Sequence, residues 1–340
     1  MNSKRVGKRT VALAHPPSVI SFSNIGSKHE GQGPLAAYFD EICEDSFFGE
    51  KTWEKAESAM QKKVLQRALD QVRLKSKDLD YIFAGDLLNQ CIGSSFGLRD
   101  FNIPFYGLYG ACSTMGESLS LAAMMIDGGF AKTCAAMTSS HFCTAERQYR
   151  MPVPYGSQRP PTAQWTATAS GCTILSADGP GPYITHITCG KIVDRGITDA
   201  NNMGSAMAPA AYDSLAAFFR DTETKPEDYD LIITGDLGVQ GHAIVRDFFA
   251  KDGIDLGEQF QDCGLLLYDR KAQDMHAGAS GCGCSASVLN GYLLTEMRRG
   301  KWQKILFAPT GALLSPTSSF QGESVPGICH VVCISAKREA

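Results

Sequence analysis

Asp78-Leu-Asp-Tyr-Ile-Phe-Ala-Gly-Asp-Leu-Leu-Asn-Gln90 returns 150 residues later as Asp228-Tyr-Asp-Leu-Ile-Ile-Thr-Gly-Asp-Leu-Gly-Val-Gln240, with seven of thirteen positions identical. Each copy reads as a short apolar strand that runs into a Gly-Asp turn. A second echo follows. Cys112-Ser113 and Cys284-Ser285 each open a helix-like run that reaches a Gly sixteen residues on, Gly128 and Gly300. A Lys (Lys132, Lys304) and an apolar strand ending in Thr (Thr138, Thr310) come next, all at an offset of 172. Two copies of a strand–turn–helix–strand unit predict an internally duplicated α/β fold with a pseudo-twofold axis. In such folds the ends of corresponding strands converge on one site.

Working outward, Trp53 to Leu74 carries apolar residues at helical spacing (Ala56, Met60, Val64, Leu65, Ala68, Val72) and predicts an amphipathic helix. A short helix is expected from Asn89 to Leu98, a strand from Phe105 to Leu108, a helix from Ser113 to Ile126 and a central strand from Thr133 to Thr138. Residues 172–176 and 183–193 read as antiparallel strands, and Met203 to Phe219 as a helix. The stretch from Ser139 to Thr166, dense in Pro, Arg and Tyr, fits no period and reads as a loop. The expected division is an N-terminal half of residues 1–200, with a long loop insertion at 139–170, and a C-terminal half of residues 201–340. No linker-like tract separates them.

Of 340 residues, 44% are hydrophobic and 20% charged, which are globular values that argue against disorder and coiled coil. A net charge of -4 offers no general field for nucleic acid, so no nucleic-acid partner is expected. The N-terminus shows no charged segment followed by an apolar one, so no signal peptide is expected. Long uncharged runs such as Pro160 to Ala177 are too polar to span a bilayer, which leaves peripheral membrane contact. Twelve cysteines in such a chain point to reduced thiols. Cys282-Gly283-Cys284 lacks a second ligand pair at zinc spacing, so no metal or cofactor is expected. The Gly-rich stretch Ala277 to Ser285 lacks the Gly-Lys-[Ser/Thr] ending that cradles phosphate, and reads as a tight turn at a helix start.

Cys112 is the first candidate for chemistry. It stands between a buried strand and a small-residue helix start, where the helix dipole would lower the thiol pKa. The alternative is a small residue that permits close helix packing. Asp86 and Asp236 are paired by the repeat, on Gly-Asp turns at strand ends. They could meet a ligand near Cys112, or each could cap the helix that follows. His141 should emerge at the end of its strand, near Cys112, with Glu146, Arg147 and Arg150 close by. Guanidinium forks there suit a planar dicarboxylate. The alternative is that Arg147 and Arg150 pair with Glu146 or with a second protomer. Lys191, Asp194 and Arg195 are weaker candidates.

Gly110-Ala-Cys-Ser-Thr114 and Ala277-Gly-Ala-Ser-Gly-Cys-Gly-Cys-Ser285, set in duplicated halves, resemble the thiolase and β-ketoacyl synthase superfamily. A narrower resemblance, to the stage V sporulation protein AD family of endospore-forming bacteria, rests on Ala84-Gly-Asp-Leu-Leu-Asn-Gln90, Asp127-Gly-Gly-Phe-Ala-Lys132, Thr138-Ser-Ser-His141 and Thr144-Ala-Glu-Arg-Gln-Tyr-Arg150. Ile197-Thr-Asp199, Met203-Gly-Ser-Ala-Met-Ala-Pro-Ala-Ala211 and Thr310-Gly-Ala-Leu-Leu-Ser-Pro316 extend it across residues 8–336. The resemblance implies a five-layered α-β-α-β-α thiolase-like fold and a homodimer through strands near residues 103–109. It also implies binding of dipicolinic acid, alone or with calcium, and delivery of that ligand into the developing spore. Membrane proteins of the same operon would be its partners, at the cytoplasmic face of the spore inner membrane.

The departures from condensing enzymes matter as much. Those enzymes carry a His in a His-Gln-Ala-Asn context after the strand of the second half, where this chain reads Thr234-Gly-Asp-Leu237 and so places Asp236. Cys282 stands where they carry an Asn before the small-residue helix. Losing one oxyanion donor costs about 100- to 1000-fold in turnover. Losing two implies a vestigial nucleophile in Cys112 and a binding site made of Cys112, His141, Arg147, Arg150, Asp86, Asp236 and Cys282. The competing expectation is an acyl-thioester condensing enzyme that uses Cys112, with His276 or His242 substituting for the missing imidazole.

Overall fold

The computed structural model describes residues 4–150 and 159–338; of Arg150 only the backbone is described. Ten core strands run in chain order as β1 (Ser18–Ser27), β2 (Tyr81–Gly85), β3 (Phe105–Leu108), β4 (Thr133–Ser140), β5 (Ala169–Ser176), β6 (Tyr183–Thr188), β7 (Leu231–Thr234), β8 (Phe260–Asp262), β9 (Lys304–Ala308) and β10 (Val331–Ser335). The helices that matter here are α1 (Trp53–Gln71), α2 (Ile92–Leu98), α3 (Thr114–Asp127), α4 (Phe142–Arg150), α5 (Met203–Thr222), α6 (Gly238–Lys251) and α7 (Cys282–Val288).

The strand order states the duplication directly. β3-β2-β4-β5-β1 is followed in space by its counterpart β8-β7-β9-β10-β6, and the two orders join where Ser18 pairs with Tyr183. In both, the first two pairings are parallel and the next two antiparallel. The second copy therefore opens with β6 at Tyr183, upstream of residue 201. Of the segment expected as a loop insertion at 139–170, the described residues include regular structure. β4 continues to Ser140, α4 follows at once, and Trp165–Thr166 pairs in parallel with Ala279–Ser280.

Central strands buried on both faces sort their side chains by alternation. Phe83 and Ala136 face a core shared with Met115 and Leu119 of α3, Val288 of α7 and Ile233 and Phe307 of the second half. Ile82, Ala84, Ala135 and Met137 face outward onto α1. Ile232 and Leu306 face outward onto Leu215 and Phe218 of α5 and Val245 of α6. The layers are thus α1 and α2, sheet, α3 and α7, sheet, α5 and α6.

α1 forms as its periodicity predicts. Thr52 caps it by accepting from the Lys55 amide at 3.3 Å, and Ala56, Met60, Val64, Leu65 and Ala68 are fully buried. Burying each of the larger three is worth about 1.5–3 kcal/mol. The helix stops at Gln71, short of Leu74, because Arg73 adopts a left-handed φ of 56°. Glu57 and Gln61 are buried on the same face, which the apolar period did not announce.

The repeated aspartates explain the repeat. Asp78 and Asp228 accept from the Lys75 and Lys225 amides at 2.7 and 2.8 Å and close matching turns. Asp80 and Asp230 accept from the amides that open β4 and β9, namely Lys132 and Thr133 in one half and Gln303 and Lys304 in the other. The third pair, Asp86 and Asp236, has diverged.

Candidate functional site

A cleft enclosing about 440 Å³, its mouth included, lies where the two halves meet. The first half contributes Leu87, Ala111 and Cys112; α4 contributes Ala145, Glu146 and Tyr149; the second half contributes Ser280, Ala312 and Leu314. Thr166 and Met203 complete it. Cys112 is presented by a tight turn, Ala111–Ser113, in which Ala111 holds a left-handed φ of 52°. A non-glycine residue in that region stores strain and is typical of functional turns.

The Cys112 thiol lies 4.0 Å from the Ser280 hydroxyl. Behind Ser280 stands Asp236. One of its carboxyl oxygens accepts from the Ser280 hydroxyl at 3.2 Å and the Gly281 amide at 2.9 Å, the other from the Thr310 hydroxyl at 3.1 Å. Gly281 has φ 95°, and a Cβ there would sit 2.7 Å from Ser140 Oγ, so only glycine serves. Burial pushes Asp236 up to about 7, against its hydrogen bonds, which favour the charged form. Burial also drives the Cys112 thiol well above its ordinary range, with Asp236 and Cys282 adding to the effect. The expectation of a dipole-lowered thiol is therefore reversed. A helix terminus supplies about 0.3–1 kcal/mol, and desolvation beside a carboxyl group exceeds it.

Asp86 is fully buried and committed to its own turn, accepting from the Leu88 amide at 2.8 Å and from the Ser94 amide and hydroxyl at 2.7 and 2.6 Å. It is a helix-start ligand and does not line the cleft. In the second half Asp262 performs that service, accepting from the Leu237 and Gly238 amides, which leaves Asp236 available to Ser280 and Thr310. Cys282 packs with Leu87, Cys112 and Ala145, but its thiol donates to the Ser139 carbonyl at 2.9 Å, below the floor of the cleft.

His141 is buried and lies outside the lining. Its Nε2 donates to the Ser46 carbonyl at 2.8 Å and its Nδ1 accepts from the Cys143 amide at 3.1 Å, a neutral ring that burial holds below the usual range. Arg147 also points elsewhere, pairing with Glu54 at 2.6 Å and lying over the Trp53 ring. The Arg150 side chain lies outside the described residues. Lys191 is paired with Asp213 at 2.9 Å.

Neither proposed substitute imidazole reaches the thiol. His276 lies between the Pro160 carbonyl and Asp274, and His242 stacks on Phe260. Among the described residues no imidazole lines the cleft.

Sequence reasoning missed Ser280, Tyr149 and the role of Thr310. Thr310 ends the repeated strand and was visible as part of the echo. Ala145 and Tyr149 stand four apart, the helical spacing that puts both on the cleft face of α4. The Tyr149 hydroxyl donates to the Leu87 carbonyl at 2.5 Å and contacts the Tyr109 hydroxyl at 2.7 Å, which ties α4 to the turn after β2.

Comparison with known proteins gives the family and the fold. The family model described as stage V sporulation protein AD matches residues 7–335. The stage V sporulation protein AD of Bacillus subtilis is 43% identical over 329 residues, covering 97% of each chain. Solved structures of similar fold include 3-oxoacyl-[acyl-carrier-protein] synthase III from Aquifex aeolicus (TM-score 0.57, 12% identity, covering 94% of this chain and 99% of that one). Human mitochondrial 3-ketoacyl-CoA thiolase in complex with CoA follows (TM-score 0.54, 11% identity, 95% and 99%), as does a variant of OleA from Xanthomonas campestris (TM-score 0.60, 12% identity, 94% and 98%). At such identities these structures show a thiolase-like fold and no more.

Proposed function

The chain belongs to the stage V sporulation protein AD family, and from that premise we propose that it binds dipicolinic acid in the cleft over Cys112 and assists its uptake into the developing spore. The ligand would enter as the free acid anion or as its calcium chelate, and no condensation would follow. The observation that carries this reading is Asp236, a buried carboxyl group one hydroxyl away from the Cys112 thiol, which burial pushes up to about 7. A condensing enzyme needs a proton-accepting ring and oxyanion donors at such a place. An acid beside a thiol held in its protonated form supports gripping a ligand instead. As a neutral acid Asp236 donates to the Ser280 oxygen, which frees the Ser280 proton for a ring nitrogen or a carboxylate in the cleft.

Two further parts of the reading rest on surfaces. β3 is an edge strand whose Phe105 and Tyr106 are exposed, with Tyr109 just beyond it, and it fits pairing with a second copy into a homodimer. Among the described residues no helix is long and apolar enough to cross a membrane. Attachment to the cytoplasmic face of the spore inner membrane would therefore run through membrane proteins of the same operon.

Calorimetric titration with dipicolinate, with and without calcium, tests the binding. Intact-mass analysis after incubation with acetyl-CoA tests the chemistry. Saturable heat and an unmodified Cys112 are expected; a stable acetyl adduct on Cys112 would restore the condensing-enzyme reading.

A further inference from the structure

Three segments meet behind Ser280, and one side chain stands between them. Residues 163–167 run along 277–280: the Ala277 amide donates to the Ala163 carbonyl at 3.1 Å, Trp165 to Gly278 at 2.9 Å and Ala167 to Ser280 at 2.8 Å. The third segment is the turn after β7, which carries Asp236. Gln164 is buried, and its side-chain Nε2 donates to the Asp236 main-chain carbonyl at 2.6 Å and to the Ala279 carbonyl at 2.9 Å. A carbonyl only accepts, so the nitrogen of this amide faces both and spends one proton on each. Two carbonyl oxygens directed at one point repel unless a donor stands between them. Gln164 is that donor, and it sets the spacing between the backbone of Asp236 and the backbone that leads into Ser280.

The same two pieces of backbone carry the groups that meet at the cleft, the Asp236 carboxyl group and the Ser280 hydroxyl with the Gly281 amide behind it. We propose that Gln164 is a positioning residue for the ligand site, which holds Asp236 against Ser280 by tying their two main chains together. The inference rests on the reading of the cleft as a dipicolinate site and deepens it. Gly238, at φ 62°, lets the turn after β7 close onto the amide, since a Cβ there would lie 3.0 Å from Gln164 Nε2. A side chain of equal length without N–H groups would remove the donor from both carbonyls. The turn would then draw back from Ala279 and admit water to Asp236. The titratable groups around Asp236 are the Cys112, Cys263, Cys282 and Cys284 thiols and the Asp262 carboxyl group, with His242 beside Asp262.

Two measurements on the full chain test this. Calorimetry at pH 6 should show Gln164→Met binding dipicolinate at least about tenfold more weakly than the wild type, the effect of about one lost buried hydrogen bond. Gln164→Glu should bind more weakly still, because its oxygens face two carbonyls. NMR titration of the Asp236 carboxyl carbon, assigned through Asp236→Asn, needs no ligand. Its midpoint should stand at about 7 in the wild type and at least about one pH unit lower in Gln164→Met, as water reaches the acid. A side chain that only fills space predicts Met equal to Gln in both measurements, and an unmoved midpoint overturns the proposal whatever the affinity does. Should Gln164→Met not fold, the wild type decides. Its two Gln164 side-chain protons should exchange slowly and shift as Asp236 titrates, and a pair that exchanges freely or ignores the titration overturns the proposal equally. If dipicolinate binds neither protein, the functional reading falls and the midpoint alone decides the role of Gln164.

Discussion

At Asp236 the repeat has kept a carboxylate and changed what it does. Its counterpart Asp86 spends every bond on its own turn, whereas Asp236 faces Ser280, Gly281 and Thr310 beside the thiol. With the acid titrating near 7, binding of an anion should take up a proton, and dipicolinate affinity should fall about tenfold per pH unit above about pH 7. Calorimetry across that range checks this, and Asp236→Asn should flatten the dependence. The thiol makes its own prediction. Held in its protonated form by burial, Cys112 should react with iodoacetamide at least about tenfold more slowly than a free thiol. Peptide mapping would show the exposed Cys189 modified first. From sequence the dipole argument pointed the other way, because a neighbouring helix start is visible in one dimension and the depth of a side chain is not. Glu57 and Gln61 were hidden for the same reason, since a charged or amide residue within an amphipathic period reads as its wet face.

Among the elements, the strands and helices of the repeat were readable because apolar spacing and turn residues agree there. α4 was not, since its Arg, Gln and Tyr look like a loop until Ala145 and Tyr149 are placed on one face. The turn before α7 depends on glycine: Gly281→Ala would force a Cβ at φ 95° toward Ser140 and should cost about 1–3 kcal/mol in urea unfolding. The β3 edge offers a sharper test. Analytical ultracentrifugation should find a dimer, and Tyr106→Lys, which sets a charge on an open edge, should yield monomers. A monomeric wild type would remove the homodimer from the account.

The whole molecule inherits a pH profile from its buried acids. Glu57 and Asp236 both have folded-state pKa values raised above the unfolded 4.5 and 3.8, so the stability tied to their neutral forms is complete at low pH and is lost as pH rises toward about 8 and about 7. Thermal melts should show stability declining between about pH 4 and about pH 8, and Glu57→Gln should reduce the decline. The duplication was legible from Asp78–Gln90 and its echo, because identical capping and strand-opening jobs keep identical aspartates. The cleft was only partly so: Cys112 and Asp236 are brought together across the halves, while His141 and Arg147 are turned to other partners. The most direct test is a crystal of the protein grown with dipicolinate. Ligand density between Cys112, Ser280 and the α4 face, with no covalent bond to sulfur, is the predicted result. Density confined to another surface, or an empty cleft at saturating ligand, would contradict the account.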